Sequence, residues 1–197
     1  MAVEFELKFA ANPAQQDAIR QAYGVEYRTI QMHTTYYDNA EGALSNRHIT
    51  LRRRMENGQS VCTVKTPVSG FGRGEWECLC EDIGDAIPEL CKLGATRELL
   101  LLTAGGVAPV CGARFTRQAG LLEFQGAQLE LALDCGVLYG GNREMDLCEV
   151  EVELKAGQPE IAIAFAERLR EAFGLDVEKK SKFRRALDLA KGEPYGL

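Results

Sequence analysis

Apolar and polar residues alternate over residues 2–10: Val3, Phe5, Leu7 and Phe9 fall on one side of an extended chain, and Glu4, Glu6 and Lys8 on the other. The pattern predicts a strand. Pro13 to Gly24 predicts a helix, with Asn12 as N-cap, Pro13 in the first turn and Gly24 at the end. The β-branched and aromatic run 25–38 predicts a second strand, and 39–46 a loop. Residues 47–56 and 59–67 flank Asn57-Gly58, a strong hairpin signal. Gly70, Gly72 and Gly74 punctuate the connection into a strand over 73–80. Residues 84–105 read as helix and loop, with helix starts near Asp85 and Thr96. Strands follow at 111–125, 128–139 and 143–156, separated by Gly126-Ala127 and Gly140-Gly141-Asn142. Two helices, 159–173 and 180–191, are split by Gly174. Eight strands with few helices predict one α+β domain built on a large antiparallel sheet or closed barrel.

The polar faces of these strands carry more charge than a solvent face needs. Arg52 and Arg54 share a face, as do Thr63 and Lys65. Arg73, Glu75 and Glu77 line one side of the next strand. Glu130 and Asp134 stand opposite Leu129, Leu131 and Leu133, and Glu149, Glu151 and Glu153 opposite Val150, Val152 and Leu154. Like acids on one strand face repel unless cations intervene. A barrel with this face turned inward could not pack it as a core, because unpaired buried ions are too costly. It would hold water, ions and a charged ligand. Glutamates at i and i+2 supply oxygen ligands suited to Mg²⁺ or Mn²⁺, and clustered Lys and Arg supply donors for phosphate oxygens.

The ordered set of motifs resembles the CYTH, or triphosphate tunnel metalloenzyme, superfamily. It runs Glu4-x-Glu6-x-Lys8, Tyr36-Tyr37-Asp38, Leu51-Arg52-x-Arg54, Thr63-x-Lys65, Arg73-x-Glu75-x-Glu77 and Phe115-Thr116-Arg117. Glu130-x-Ala132-Leu133-Asp134-x-Gly136, Cys148-Glu149-Val150-Glu151-Val152-Glu153, and Ser181-Lys182 with Arg184-Arg185 complete it. Within the superfamily, LELALDCG, LCEVEVELKAG and SKFRRALDLAKG are most similar to the catalytic part of bacterial inorganic triphosphatases. The resemblance implies an α+β fold with an eight-stranded antiparallel β-barrel, the triphosphate tunnel, and flanking helices. It implies a single CYTH domain over 1–197 without the helical CHAD domain that such enzymes often carry.

Carried over residue by residue, the resemblance gives Glu4, Glu6 and Glu149 or Glu151 to a divalent metal. Lys8, Arg52, Arg54, Lys65, Arg117, Lys182 and Arg184 would grip phosphates. Glu75, Glu77 and Asp134 would line the acidic side, where a second metal or an activated water could sit, and with Lys8 and Arg54 would carry the catalysis. Glu130 and Glu153 fall near the tunnel mouths. Arg114 and Arg53 point away, Lys179, Lys180 and Arg185 read equally as a solvated helix face, and His48 reads as a surface residue. Tyr36 and Tyr37 read as packing, and Trp76 packs outside.

The implied reaction is metal-dependent hydrolysis of inorganic triphosphate to pyrophosphate and phosphate. An adenylyl cyclase of the same fold, a thiamine or nucleoside triphosphatase, and a polyphosphate-binding module without turnover are the alternatives. The partner is a small polyanion, triphosphate or ATP, and the chain is read as a monomer or homodimer.

Charge adjusts the picture. With 23 Lys+Arg against 29 Asp+Glu, the net charge of −6 argues against nucleic-acid and membrane surfaces. It does not argue against a small polyanion if metal ions complete the site. No apolar run approaches the ~18 residues of a membrane span, and MAVEFELKFA has no basic start, so the reading is cytoplasmic. The seven cysteines contain no Cys-x-x-Cys and are expected to be buried small hydrophobes.

Overall fold

A computed structural model describes residues 2–68 and 73–193. Gly70 and Gly72 lie outside the described residues. The first strand is divided into β1 (Ala2–Glu4) and β2 (Glu6–Ala10). Then come α1 (Pro13–Ala22), β3 (Arg28–Asp38), α2 (Ala43–Asn46), β4 (Thr50–Glu56), β5 (Gln59–Pro67) and β6 (Arg73–Leu79). Helices α3 (Ile83–Lys92) and α4 (Glu98–Leu102) precede three long strands, β7 (Ala108–Phe124), β8 (Ala127–Gly140) and β9 (Arg143–Ala156). The chain continues with α5 (Pro159–Phe173), β10 (Asp176–Val177) and α6 (Lys182–Lys191).

Local chemistry explains the boundaries. Asn12 and Gln15 form a reciprocal capping box at the start of α1, with Pro13 in its first turn. Ser181 caps α6 by accepting the Arg184 N–H, and Gly192 ends it in the left-handed conformation. The segment expected as loop at 39–46 contains the short helix α2. Buried Asp38 organises it by accepting the N–H groups of Leu44 and Ser45, each at 2.9 Å.

The strands form one antiparallel sheet in the order β1-β6-β5-β4-β3-β7-β8-β9-β2-β10. This bears out the large antiparallel sheet of an α+β fold; the pairings among the described residues do not close it into the expected eight-stranded barrel. There are ten strands among the described residues, and the end strands β1 and β10 do not pair with each other. The added strands have identifiable causes. The N-terminal segment changes partner at Phe5: β1 pairs with β6 through Glu4↔Arg73, while β2 pairs with β9 through Lys8↔Glu151. β10 is a two-residue pairing onto Ala10 and Phe9.

The two faces of the sheet differ in chemistry. Helices α1 and α5 cover the apolar face of β2, β8 and β9, burying Phe9, Ile19, Leu129, Leu131, Val150 and Phe165. Helices α2, α3 and α4 cover the same face of β4–β6 through Leu44, Leu51, Cys62, Val64, Ile87 and Leu99. Each such side chain contributes about 1.5–3 kcal/mol. Trp76 and Tyr37 pack here, away from the charged face, as expected.

Helix α6 lies on the other face. Phe183, Ala186 and Leu187 pack with Met32, Tyr36, Ala113, Phe115, Leu138 and Leu147. Gly140 permits this approach, because a Cβ there would fall 2.3 Å from the Ala186 carbonyl oxygen and 2.6 Å from the Ala190 nitrogen. Both contacts are backbone and cannot swing aside. Gly140→Ala is therefore expected to lift α6 off the sheet and lower stability by about 1–3 kcal/mol, read as a fall in thermal midpoint. An unchanged midpoint would show that α6 is not held this closely.

The cysteine expectation is corrected. Cys62 and Cys111 are buried, but Cys78, Cys80, Cys91 and Cys148 are partly accessible and Cys135 is exposed. Strand alternation places a cysteine on a face without telling whether a helix covers that spot.

Candidate active site

The alternation of the strands and the observed registers bring the charged residues to one face. On β3–β6 the face reads Tyr36 opposite Arg52, Thr34 opposite Arg54, Arg52 opposite Thr63, and Lys65 opposite Glu75. On β7–β9 and β2 it reads Arg117 opposite Asp134, Asp134 opposite Glu149, and Glu151 opposite Lys8.

Three groups of charge result. In the first, Lys65 Nζ donates to Glu4 at 2.6 Å and lies 3.4 Å from Glu75, which also accepts from Arg52 Nη2 at 3.4 Å. Glu77 accepts from the Thr63 hydroxyl at 2.9 Å. Arg54 pairs with Glu56, which motif reading did not include. Arg52 and Arg54 nevertheless keep buried Nε–H donors without a hydrogen-bond partner among the described residues. Burial, and then the neighbouring Arg52 and Arg117 charges, push the Arg54 pKa down. Positive charge is thus in excess at this point, which favours an anion.

In the second group, the oxygens of Asp134, Glu149 and Glu151 lie within 4.8 Å of one another, a set able to hold a cation. The Lys182 ammonium already serves them, at 2.8, 2.7 and 2.7 Å. Arg117 binds Asp134 through two nitrogens at 2.8 and 2.7 Å and also reaches Glu151. Burial opposes the Glu151 charge, but Lys182 and Arg117 outweigh it and hold the carboxyl well below its usual range. Burial likewise opposes the Lys182 charge, and Asp134 and Glu151 raise its pKa. Both cations also lie near the Phe115 ring, Lys182 at 5.4 Å and Arg117 at 5.9 Å from its centroid. Buried Gln16 on α1 donates to the main-chain oxygens of Asp134 and Glu149, both at 2.9 Å, tying β8 to β9 behind the group. Gln16 is one of three glutamines in α1, and nothing in the sequence marks it for that role.

The third group is Glu6, 3.5 Å from Lys8. Burial, then the charges of Glu151 and Glu4, raise the Glu6 pKa. Lys8 and Lys65 oppose that rise without cancelling it, so an added cation beside Glu6 is favoured.

The structure does not bring Arg184 into the site. Its side chain is 52% exposed and pairs with Asp188 and Glu193. Arg185, 5% exposed, instead binds Glu149 and lies 3.4 Å from Glu178. One residue turns the helix by about 100°, and only the packing of α6 on the sheet decides which arginine points inward. Lys179 is exposed, and Lys180 lies 3.1 Å from Asp188. Glu130 and Glu153 pair with Lys155 and Arg28, two cations outside the motifs, and Glu153 stands opposite Glu6. Arg114 pairs with Glu144, Arg53 donates to the Glu81 carbonyl, and His48 is exposed. Tyr36 is buried against Phe183, with ring centroids 5.0 Å apart.

Comparison with known proteins follows this geometry. The model of the CYTH domain family matches residues 2–187. An inorganic triphosphatase of Haemophilus influenzae is 29% identical over 177 residues, covering 86% of this chain and 50% of the relative. The chain thus spans about half the length of that curated relative. A Hippeastrum protein, named as a candidate adenylyl cyclase with a dominant triphosphatase activity, has a similar fold. Its TM-score is 0.65 at 20% identity, over 98% of this chain and 97% of its own. The PH1819 protein of Pyrococcus horikoshii gives 0.59 at 22% identity, over 91% and 96%.

Proposed function

Since the chain belongs to the CYTH domain family, whose model spans residues 2–187, we propose that it hydrolyses inorganic triphosphate to pyrophosphate and phosphate on the charged face of its sheet. The observation that carries this reading is the juxtaposition of two uncompensated charges. Buried Arg54 keeps a spare donor, and burial with the Arg52 and Arg117 charges lowers its pKa; Arg52, although compensated by Glu75 and Glu77, also keeps a spare Nε–H. Glu6 lies among acids that raise its pKa. An anion together with a divalent cation relieves both, and a metal–polyphosphate pair brings both.

The reading extends to the sheet's shape. β1 pairs near one end of the strand order and β2 near the other, with Phe5 alone between them. A sheet curled through this segment forms a tunnel around the charged face.

Arg52, Arg54, Lys65, Arg117 and Lys8 donate to phosphate oxygens. Each charge-assisted bond contributes about 1.5–3 kcal/mol before desolvation is deducted. Glu4 and Glu6, with Glu149 or Glu151, would supply an all-oxygen donor set for Mg²⁺ or Mn²⁺; without the ion, Lys182 holds both Glu149 and Glu151. Bound there, the ion supplies charge neutralisation and Lewis acidity toward the phosphate oxygens. Glu75 orients Arg52 and Lys65. Glu77, the more exposed of the two, accepts the proton of the attacking water. Asp134, held by Arg117 and Lys182, orients those cations. The water displaces pyrophosphate in line, and the protein's part is positioning and electrostatics.

Phosphate release from inorganic triphosphate, ATP and thiamine triphosphate, each with Mg²⁺ and with Mn²⁺, tests the proposal. Inorganic triphosphate is expected to be the best of the three, with turnover abolished by a chelator. Cyclic AMP formation from ATP, with no phosphate from triphosphate, would sink it.

A further inference from the structure

Directly behind the Asp134–Glu149 pair, on the opposite face, Cys135 and Cys148 stand opposite each other on β8 and β9. Burial, and then the facing Cys135 thiol, push the Cys148 thiol up to about 11. The type of pair follows from the backbone. The Cys148 carbonyl accepts from Ala11 N–H at 3.0 Å, on the β2 side. A strand residue directs its N–H and C=O to the same neighbour, so Cys148 makes no ladder bonds to β8. Cys135 and Cys148 are therefore a non-hydrogen-bonded pair, in which Cα atoms approach to about 4.5 Å. That lies within the roughly 4.4–6.8 Å span of disulfides.

The other facing pair, Cys62 and Cys78, is set apart by burial; its wider spacing, about 5.5 Å, also lies within the disulfide span. The Cys80 N–H donates to the Ser60 carbonyl at 3.3 Å, which makes Ser60–Cys80 and, two residues along, Cys62–Cys78 hydrogen-bonded pairs, the wider type. Cys62 is wholly buried, whereas Cys135 is exposed and Cys148 partly so.

We propose that Cys135 and Cys148 are a redox modification site that forms a reversible cross-strand disulfide with a small-molecule disulfide as oxidant. The exposed Cys135 sulfur attacks the small disulfide, giving a mixed disulfide and releasing one small thiol. The Cys148 sulfur then attacks the Cys135 sulfur and releases the second. Two electrons and two protons leave the protein dithiol, and the small disulfide becomes two thiols. The bond staples β8 to β9 at the residues next to Asp134 and Glu149, fixing their register behind the acidic group.

The test uses the intact, reduced chain in glutathione buffers of increasing glutathione disulfide content. After an acid quench, the protein is unfolded and alkylated, and its mass and peptides are read. Alkylated thiols are expected to fall from seven to five, with a linked peptide pair containing Cys135 and Cys148. Cys148→Ser is expected to trap a glutathione adduct on Cys135. Alkylation of all seven across the series, or linkage of Cys62 to Cys78 in preference, would overturn the proposal.

Discussion

Glu6→Gln is expected to lose triphosphate hydrolysis and to gain stability. On the proposed reading Glu6 helps to hold the divalent ion, which supplies several kcal/mol of transition-state stabilisation. Losing it costs at least about 10²-fold in turnover. Stability moves the other way because the Glu6 charge is unwelcome in the folded chain. Burial, Glu151 and Glu4 raise its pKa above the ordinary 4.5. A raised carboxyl binds its proton more tightly when folded, so its contribution is full below the ordinary value and is lost as pH rises through the folded one. At neutral pH the neutral amide removes that cost, and the thermal midpoint is expected to rise by about 2–4 °C per kcal/mol recovered. Mg²⁺ or Mn²⁺ should raise the midpoint of the parent but not of the variant. Undiminished turnover, or equal stabilisation of both proteins by metal, would refute the assignment.

Lys182→Met is expected to be the most destabilising single change at the site. Asp134 and Glu149 have wholly buried side chains, and with Glu151 they share the Lys182 ammonium. Methionine keeps the bulk beside Phe115 and leaves three acids to Arg117 and Arg185. Removing one partner from a buried ion group costs about 3–5 kcal/mol, on the order of 10 °C in midpoint for a chain of this size. The effect depends on pH. Glu151 has a lowered pKa, so in the parent its contribution is present above the ordinary carboxylate value and is lost as pH falls through the folded one. The variant's acids take up protons more readily, which relieves their repulsion. The midpoint gap between parent and variant should therefore be wide at pH 7.5 and narrower near pH 4.5. Thermal unfolding at the two values checks this, and equal midpoints at pH 7.5 would mean that the ammonium is dispensable.

The residues differ in how readable they were. Glu4, Glu6, Lys8, Arg52, Arg54, Lys65, Glu75 and Glu77 lie on strands whose period of two assigns a face directly, and the registers bring them together. Arg184 and Arg185 lie on a helix packed between acids on one side and apolar strands on the other, so both hydrophobic and charged positions are buried. Composition along the helix could not separate them. Gln16, Arg28 and Lys155 entered through long-range pairing, which no local pattern reports. The break at Phe5 and the pairing of β10 arise from a change of partner strand, a tertiary event. The cysteines were misjudged because exposure depends on where helices leave the sheet bare.

The change of partner at Phe5 also bears on how the chain assembles. β1 and β2 are neighbours in sequence, yet β1 waits for β6, about 70 residues on, and β2 for β9, about twice as far. Closing such long loops ahead of any compensating contact is slow. During translation, the hairpins β4–β5 and β7–β8 can form as they emerge; Glu4 can meet Lys65 and Arg73 once β5 and β6 are made, while Glu6 and Lys8 wait for β9. The segment Glu4–Lys8 thus spans two pairing events of different range, and its β2 half is satisfied only when β9 arrives.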